Sequence, residues 1–246
     1  ATDLDLIFVH KIDNIEVIEE GKTTTTSSTM YDIVRKFSSG KKINLSLSET
    51  NKLKLESEKS IFNLNCLDTS EFPLTDENFS DNEFSLNSKQ LLKLLNKCKF
   101  SVSNDETRHY LSGIYLHQTE FEDKFYLTAV ATDSHRMSIS KIKLNNKINF
   151  NPIILPKKTI FQLCSLLDNY DGMVKISNMK SKIKFELKNS ILISKLIDGK
   201  FPNYIQVIPK NNQKKLEIDL KLFTGSVDRV ASVSLDKKDG VKFILN

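Results

Sequence analysis

No stretch of eighteen apolar residues occurs in the 246 residues of this chain, which excludes a membrane-spanning helix. Cysteine is scarce: Cys66, Cys98 and Cys164 are odd in number and far apart. No pair of them has the spacing of a disulfide framework or a zinc site, so a reducing, cytoplasmic setting is expected. No secretory signal opens the chain and its first residue is not Met, which suggests a processed or truncated start. A Gly-x-Ser-x-Gly elbow, a phosphate-binding loop and a pair of catalytic carboxylates are also missing. These absences argue against an enzyme, and neither a metal nor a cofactor is expected.

What is present is a globular balance, with 39% hydrophobic and 27% charged residues. The length suits one large or two ordinary domains. The net charge of +5, from 36 Lys plus Arg against 31 Asp plus Glu, is a mild bias toward polyanions.

The chain repeats itself. "ATD" begins at Ala1 and again at Ala131, and each copy runs about seventy residues to a Phe-Pro pair, Phe72-Pro73 and Phe201-Pro202. Between these landmarks "TMYDIVRKFSSGKKINLSL" parallels "KTIFQLCSLLDNYDGMVKI", each a short amphipathic helix, a turn and a strand. "KLKLESEKSIFNLNCLD" parallels "KIKFELKNSILISKLID", and both alternate as half-buried hairpins do. Past each Phe-Pro, "EFSLNSKQLLKLLNKC" and "LEIDLKLFTGSVDRVA" read as a strand followed by a helix, and "HYLSGIYLHQ" and "DGVKFILN" as further strands. The period is roughly 130 residues, one domain in size. The chain is therefore expected to hold the back of one copy, the whole of a second and the front of a third. Within the complete copy, two halves each read as strand, helix and strand meander. That predicts an α+β fold of antiparallel sheets with paired helices on one side.

The helices carry the positive charge. A helix is expected from Ser88 to Lys99, with Leu91, Leu92, Leu94, Leu95 and Cys98 toward a core and Lys89, Lys93 and Lys97 along another stripe. Lys157 and Lys158 follow Pro156 into the next helix, where basic side chains oppose the helix dipole and a nearby anion relieves them. On one helix such a stripe is also what an ordinary solvated face looks like. Recurrence on helices sharing one side of the fold favours contact with a phosphate backbone, without sequence readout.

"ATDSHRMSIS", Ala131 to Ser140, gathers Asp133, Ser134, His135 and Arg136. Neighbours on a strand point to opposite faces, so these residues cannot form a relay by themselves. The equivalent Asp3 has no His beside it, and Asp3 with Asp5 reads as a strand-end turn before it reads as a metal motif. His10 and His117 sit in alternating strand patterns as surface or packing residues. A hydrolase using Asp133 and His135 is the least favoured reading.

"ETRHYLSGIYL", "AVATDSHRMSI", "ILPKKTI", "SKLIDGKFPNY" and "VIPKN", in this order and spacing, resemble the bacterial sliding clamp, the beta subunit of DNA polymerase III. The resemblance implies three similar domains per protomer and a head-to-tail homodimeric ring, with sheets outside and helices lining a central DNA hole. Residues 1–80 then become the C-terminal part of domain 1, 82–210 a complete domain 2, and 214–246 the start of domain 3. The resemblance implies a non-catalytic processivity factor on double-stranded DNA. Its partners are the replicative polymerase, the clamp loader and repair proteins, which dock by short linear peptides.

Carried over by position, the peptide pocket consists of Leu111, Thr132, Ser134, His135, Arg136, Met137, Pro202, Gln206 and Val207, bordered by Arg108 and Tyr110. DNA contacts fall on Lys89, Lys93, Lys97, His109, Lys157 and Lys158, and the dimer interface on Lys59, Phe62 and Leu64 against Ser232 and Val233. Departures from the family are Gln206 where a basic residue is common, Ser134 where Gly is usual, Ser232 where an apolar residue is usual, and "TTTTSSTMYD" where a basic pair often enters the helix. A β-rich scaffold that binds nucleic acid on an open surface, without a ring, is the alternative.

Overall fold

The structure, a computed structural model, describes residues 1–48, 51–72, 79, 83–233 and 240–244. They form two compact units, Ala1–Phe201 and Pro202–Asn246. In chain order the first unit contains β1 (Leu6–His10), β2 (Thr24–Thr25), α1 (Ser27–Val34), β3 (Asn44–Leu47), β4 (Lys52–Ser57) and β5 (Ser60–Leu67). There follow β6 (Glu83–Asn87), α2 (Ser88–Asn96), β7 (Gly113–Phe121), β8 (Lys124–Thr132) and β9 (Met137–Lys143). The unit ends with β10 (Ile153–Pro156), α3 (Lys157–Asp168), β11 (Met173–Asn178), β12 (Lys182–Glu186) and β13 (Ser190–Lys195).

All described pairings are antiparallel, in three sheets ordered β1-β13-β12-β11-β6, β10-β7-β8-β9 and β2-β5-β4-β3. The two halves of the complete copy exchange their leading strands. β6, which enters α2, pairs with β11 of the second half, and β10, which enters α3, pairs with β7 of the first. The exchange makes one core of both halves: Leu91, Leu94 and Leu95 of α2 and Ile160, Leu163 and Leu167 of α3 join Ile114, Leu127, Ile176 and Phe185 of the sheets. Gly113 is required where β7 meets β10, since a Cβ there would come within 2.4 Å of the Leu155 carbonyl oxygen.

α2 begins at Asn87, whose side chain accepts from the N–H groups of Lys89 and Gln90 at 3.0 and 3.4 Å. It ends at Asn96 and not at Lys99, because Cys98 is drawn into the core and the chain tightens into a 3₁₀ turn, Lys99–Ser101. Burial pushes the Cys98 thiol up to about 11 and raises that of Cys164 as well, so both thiols stay protonated.

The repeat is visible in three dimensions at a constant offset. α1 starts at Ser27 and α3 at Lys157, 130 residues on; β4 and β12 start at Lys52 and Lys182, and β5 and β13 at Ser60 and Ser190. Even a detail repeats: Thr24 pairs with Leu67, and at the same offset the Ile197 N–H donates to the Ile154 carbonyl at 3.0 Å. By this offset β1 is the counterpart of β9. Yet β1 does not stay with its own copy; it pairs along β13, Leu6 opposite Ser194 through His10 opposite Ser190. One copy is thereby joined to the next by a continuous sheet. α1 buries no residue, whereas α3 buries five.

The second unit has a 3₁₀ turn, Tyr204–Val207, and α4 (Leu220–Ala231), capped by Asp219 accepting from the Leu222 N–H at 2.9 Å. The expected strand before α4 is not formed, since an alternating run needs a paired neighbour and none is described in this unit. Residues 240–244 also lack strand structure; Pro73 and the end of "DGVKFILN" lie outside the described residues.

Leu95 is fully buried and Lys93, on the same helix, is exposed. We predict that Leu95→Ala lowers unfolding stability by about 2–5 kcal/mol. Lys93→Ala should stay within about 0.5 kcal/mol. Urea denaturation of the two variants checks it, and equal effects would place α2 outside the core.

Candidate functional site

Two turns build the site. The first follows the 3₁₀ turn after α2. Asp105 accepts from the Thr107 hydroxyl at 2.6 Å, the Thr107 N–H at 3.0 Å and Arg108 Nε at 2.8 Å. These bonds wind Glu106–Leu111 into a 3₁₀ stretch that kinks at Arg108, where φ is −113° and ψ 57°. Leu111 is buried, Arg108 and Tyr110 are half-buried, and His109 is exposed with its ring edge-on to Tyr110 at 5.9 Å. Gly199 crosses behind this turn at φ +150°, and a Cβ there would lie 3.2 Å from Cβ of Tyr110.

The second turn joins β8 to β9. Thr132 Oγ1 accepts from the Ser134 N–H at 3.1 Å and donates to the Arg136 carbonyl at 2.8 Å. Asp133 Oδ1 accepts from the N–H groups of His135 and Arg136, both at 3.0 Å, and Oδ2 accepts from Arg136 Nε at 3.0 Å. Ser134 is held at φ +77°. The same turn stands in the first copy: Thr2 accepts from the Leu4 N–H, Asp3 accepts from the N–H groups of Asp5 and Leu6, and Leu4 has φ +74°. Thr-Asp is thus a turn-building pair that imposes a left-handed third residue whatever that residue is. Asp133 is committed to this turn, and its bonds to His135 come only from the backbone N–H, so no Asp–His relay exists.

Arg108 Nη1 donates to Ser134 Oγ at 2.7 Å, which ties the two turns together. Arg136 reaches elsewhere: its Nη2 donates to the Phe100 carbonyl at 2.6 Å, with the guanidinium 5.6 Å from the Phe100 ring. Met137, half-buried, opens β9 opposite Thr132, and His135 is exposed. Of the expected pocket, Arg108, Tyr110, Leu111, Thr132, Ser134, His135, Arg136 and Met137 lie on these two linked turns. Pro202, Gln206 and Val207 belong to the second unit, where all three are exposed.

The lysines differ from one another more than their spacing suggested. Lys89 pairs with Asp171 at 2.6 Å, Lys158 with Asp3, and Lys157 donates to Asn104. Asp3 raises the pKa of Lys158, and the lysine in turn lowers that of Asp3. The side chains of Lys93 and Lys97 are exposed and form neither ion pair nor hydrogen bond among the described residues. Beside them, Lys99 Nζ sits 5.7 Å from the ring of the exposed Phe161.

At the edge of the first copy, Phe62 is part-exposed at 37%, while Leu64 is buried. Phe62 packs edge-on against Phe37 at 6.0 Å and lines a recess of about 310 Å³ with Thr29, Asp32, Ile33, Lys36 and Ser60. Lys59 is exposed in the turn before β5. Ser232 caps α4, its hydroxyl donating to the Arg229 carbonyl at 2.7 Å, and Val233 is exposed. Among the described residues no three metal-ligating side chains converge, and no helix is long and apolar enough to cross a membrane.

Sequence spacing missed Asp105, Asn104, Asp171 and Phe100, the partners that fix the charged side chains. "NDET" does carry a signal, an Asp placed to accept from a Thr two residues on.

Both carboxylates are held below the usual range. The Thr107 hydroxyl and then Arg108 stabilise the Asp105 anion. At Asp133 burial works the other way but is outweighed by the N–H groups of Arg136 and His135 and by the Arg136 guanidinium. A depressed folded-state pKa gives stability that is complete above the unfolded carboxylate value of about 3.9 and is lost as pH falls through the folded one. We predict that amide-exchange protection factors at Thr107, His135 and Arg136 stay level from pH 7 to about 4 and decline below it. A decline already complete by about pH 5 would mean that other groups hold the turns.

Family models of the DNA polymerase III beta subunit match the chain, the N-terminal domain over residues 1–76 and the central domain over 85–203. The chain is 35% identical over 245 residues to the beta sliding clamp of Caulobacter vibrioides and 31% identical over 246 residues to that of Escherichia coli K12. These matches take in 98% and 100% of this chain, which spans 65% and 66% of the length of those relatives. A crystal structure of the Bartonella birtlesii sliding clamp bound to griselimycin superposes with a TM-score of 0.90 at 36% identity, over 96% of this chain and 63% of that one. A Caulobacter crescentus beta sliding clamp gives 0.89 at 34% identity, over the same shares.

Proposed function

The chain belongs to the DNA polymerase III beta-subunit family, the beta sliding clamps, and on that premise we propose that it serves as a DNA sliding clamp. In this reading it is a non-catalytic, cytoplasmic processivity factor. It encircles duplex DNA as a homodimeric ring and tethers the replicative polymerase, the clamp loader and repair proteins through short peptides. Residues 1–80, 82–210 and 214–246 then belong to three successive domains. Family membership does not favour the open-surface scaffold.

The observation that carries the ring is the pairing of β1 with β13. It joins one copy to the next through two unlike edges. In the second copy the β9 edge, counterpart of β1, has no described strand on its outer side. In the first copy Ser60–Leu64 of β5, counterpart of the β13 segment that β1 covers, also has none. The two remaining edges are complementary in kind, so a third copy and then a second protomer can continue the same joint head to tail. Unlike edges that repeat through a constant rotation close into a ring when that rotation divides a full turn, and otherwise run on as a filament. Phe62 at the β5 edge and Val233 after α4 are the apolar groups offered to such a joint.

DNA contact rests on the outward faces of α2 and α3 and on His109. A ring needs no tight grip, and weak, screened contacts allow it to slide. Peptides dock at the two linked turns, with Leu111 and Met137 as apolar floor and Thr132, His135 and Arg136 as polar rim.

The ion pairs sharpen the DNA test. A lysine already paired with a carboxylate releases fewer counterions than a free one. In the complete protein on linear duplex, changing Lys93 and Lys97 to Ala should reduce the slope of log K against log[salt] by about 1.8, near 0.9 per lysine. Changing Lys89 and Lys158 to Ala should reduce it by less. An unchanged slope for the Lys93 and Lys97 variant would return that face to ordinary solvation.

A further inference from the structure

The bond between Arg108 and Ser134 is the only direct side-chain tie between the two turns of the site among the described residues, and it comes from a residue in a costly conformation. Ser134 stands at φ +77°, a region that glycine occupies freely and other L-residues enter at a cost. The backbone there is fixed by Thr132 and Asp133, as Leu4 at the matching position shows by adopting φ +74°. The side chain at this position is therefore free to vary without altering the turn. Leu4 offers no acceptor. Ser134 offers one, and Arg108 Nη1 uses it at 2.7 Å.

Arg108 is held at two points of its guanidinium, Nε on Asp105 at 2.8 Å and Nη1 on Ser134. Nη2 donates to no described group, and the side chain remains 39% exposed. A planar guanidinium held at Nε and Nη1 keeps the two N–H groups of Nη2 in a preset direction for a carboxylate. Arg136 is directed elsewhere, to Asp133 and the Phe100 carbonyl.

We propose that Ser134 is a positioning residue, which orients Arg108 to receive an acidic side chain of the docked peptide. The inference rests on the peptide-docking reading of these turns. Ser134 gives up some backbone stability and gains a fixed cation at the rim. Fixing the cation beforehand removes ordering cost from the binding step.

The test uses the complete protein and a labelled synthetic peptide with Leu and Phe anchors and one Asp, beside a twin with Ala in place of the Asp. Ser134→Gly removes the hydroxyl and relieves the backbone. It should raise Tm by about 2–4 °C and weaken the Asp peptide about fivefold. The Ala twin should bind as it does to wild type. Ser134→Ala keeps the backbone cost and should weaken the Asp peptide equally without the gain in Tm. Ser134→Asn tolerates the left-handed region and restores an acceptor, so it should recover affinity for the Asp peptide. Met137→Asp serves as control for the docking reading, since a charge on the apolar floor should abolish binding of both peptides. If it does, and Ser134→Ala binds the Asp peptide as wild type does or loses both peptides equally, the role of Ser134 is overturned. If Met137→Asp binds both peptides normally, the docking reading fails and the inference with it.

Discussion

Everything in the first unit depends on one backbone ladder, the antiparallel pairing of β1 with β13. Without it the first copy would be attached to the second only by chain connectivity and a few side-chain contacts. With it, a strand of the first copy becomes the edge of the second copy's sheet, and Asp3 and Asp5 are carried to Lys158 and Lys195. The ladder is made of main-chain groups, so it fixes register and direction without demanding particular side chains. That is why β1 and β9 can occupy equivalent positions while sharing little sequence beyond Ala-Thr-Asp.

The Thr-Asp turn is the second repeated device, and the two copies use its surplus carboxylate oxygen differently. In the first copy Asp3 Oδ2 reaches Lys158, across the joint between copies. In the second copy Asp133 Oδ2 stays local and holds Arg136. One turn thus serves as a strut in one place and as the rim of the proposed docking site in another. The same economy explains why a cluster of Asp, Ser, His and Arg can look catalytic and yet be occupied with backbone N–H groups.

Much of this was legible in the sequence, for local reasons. The repeat could be read from "ATD" and Phe-Pro, and its offset of 130 residues holds for helices and strands alike. The buried stripe of α2 followed from leucine spacing, and the Asp3 turn from the lack of a neighbouring His. What could not be read is non-local. The partner of Lys158 lies 155 residues away, and the partner of Lys89 lies 82. Spacing along a helix gives a face, but not which of its charges are already paired. The exchange of β6 and β10 between half-sheets is equally invisible, because strand pattern encodes which face is buried and not which neighbour is bonded. The strand expected before α4 failed for the converse reason: its alternation was present, but no paired neighbour stands among the described residues.

The central claim is topological: unlike edges join copies head to tail until they close around DNA. Retention of the complete protein on circular duplex DNA, before and after a single double-strand cut, tests it most directly. The account predicts that protein loaded on the closed circle stays bound through a wash at moderate salt and is released once the circle is linearised. Equal retention on cut and uncut DNA would contradict it, because binding would then rest on the lysine faces alone and not on a closed ring.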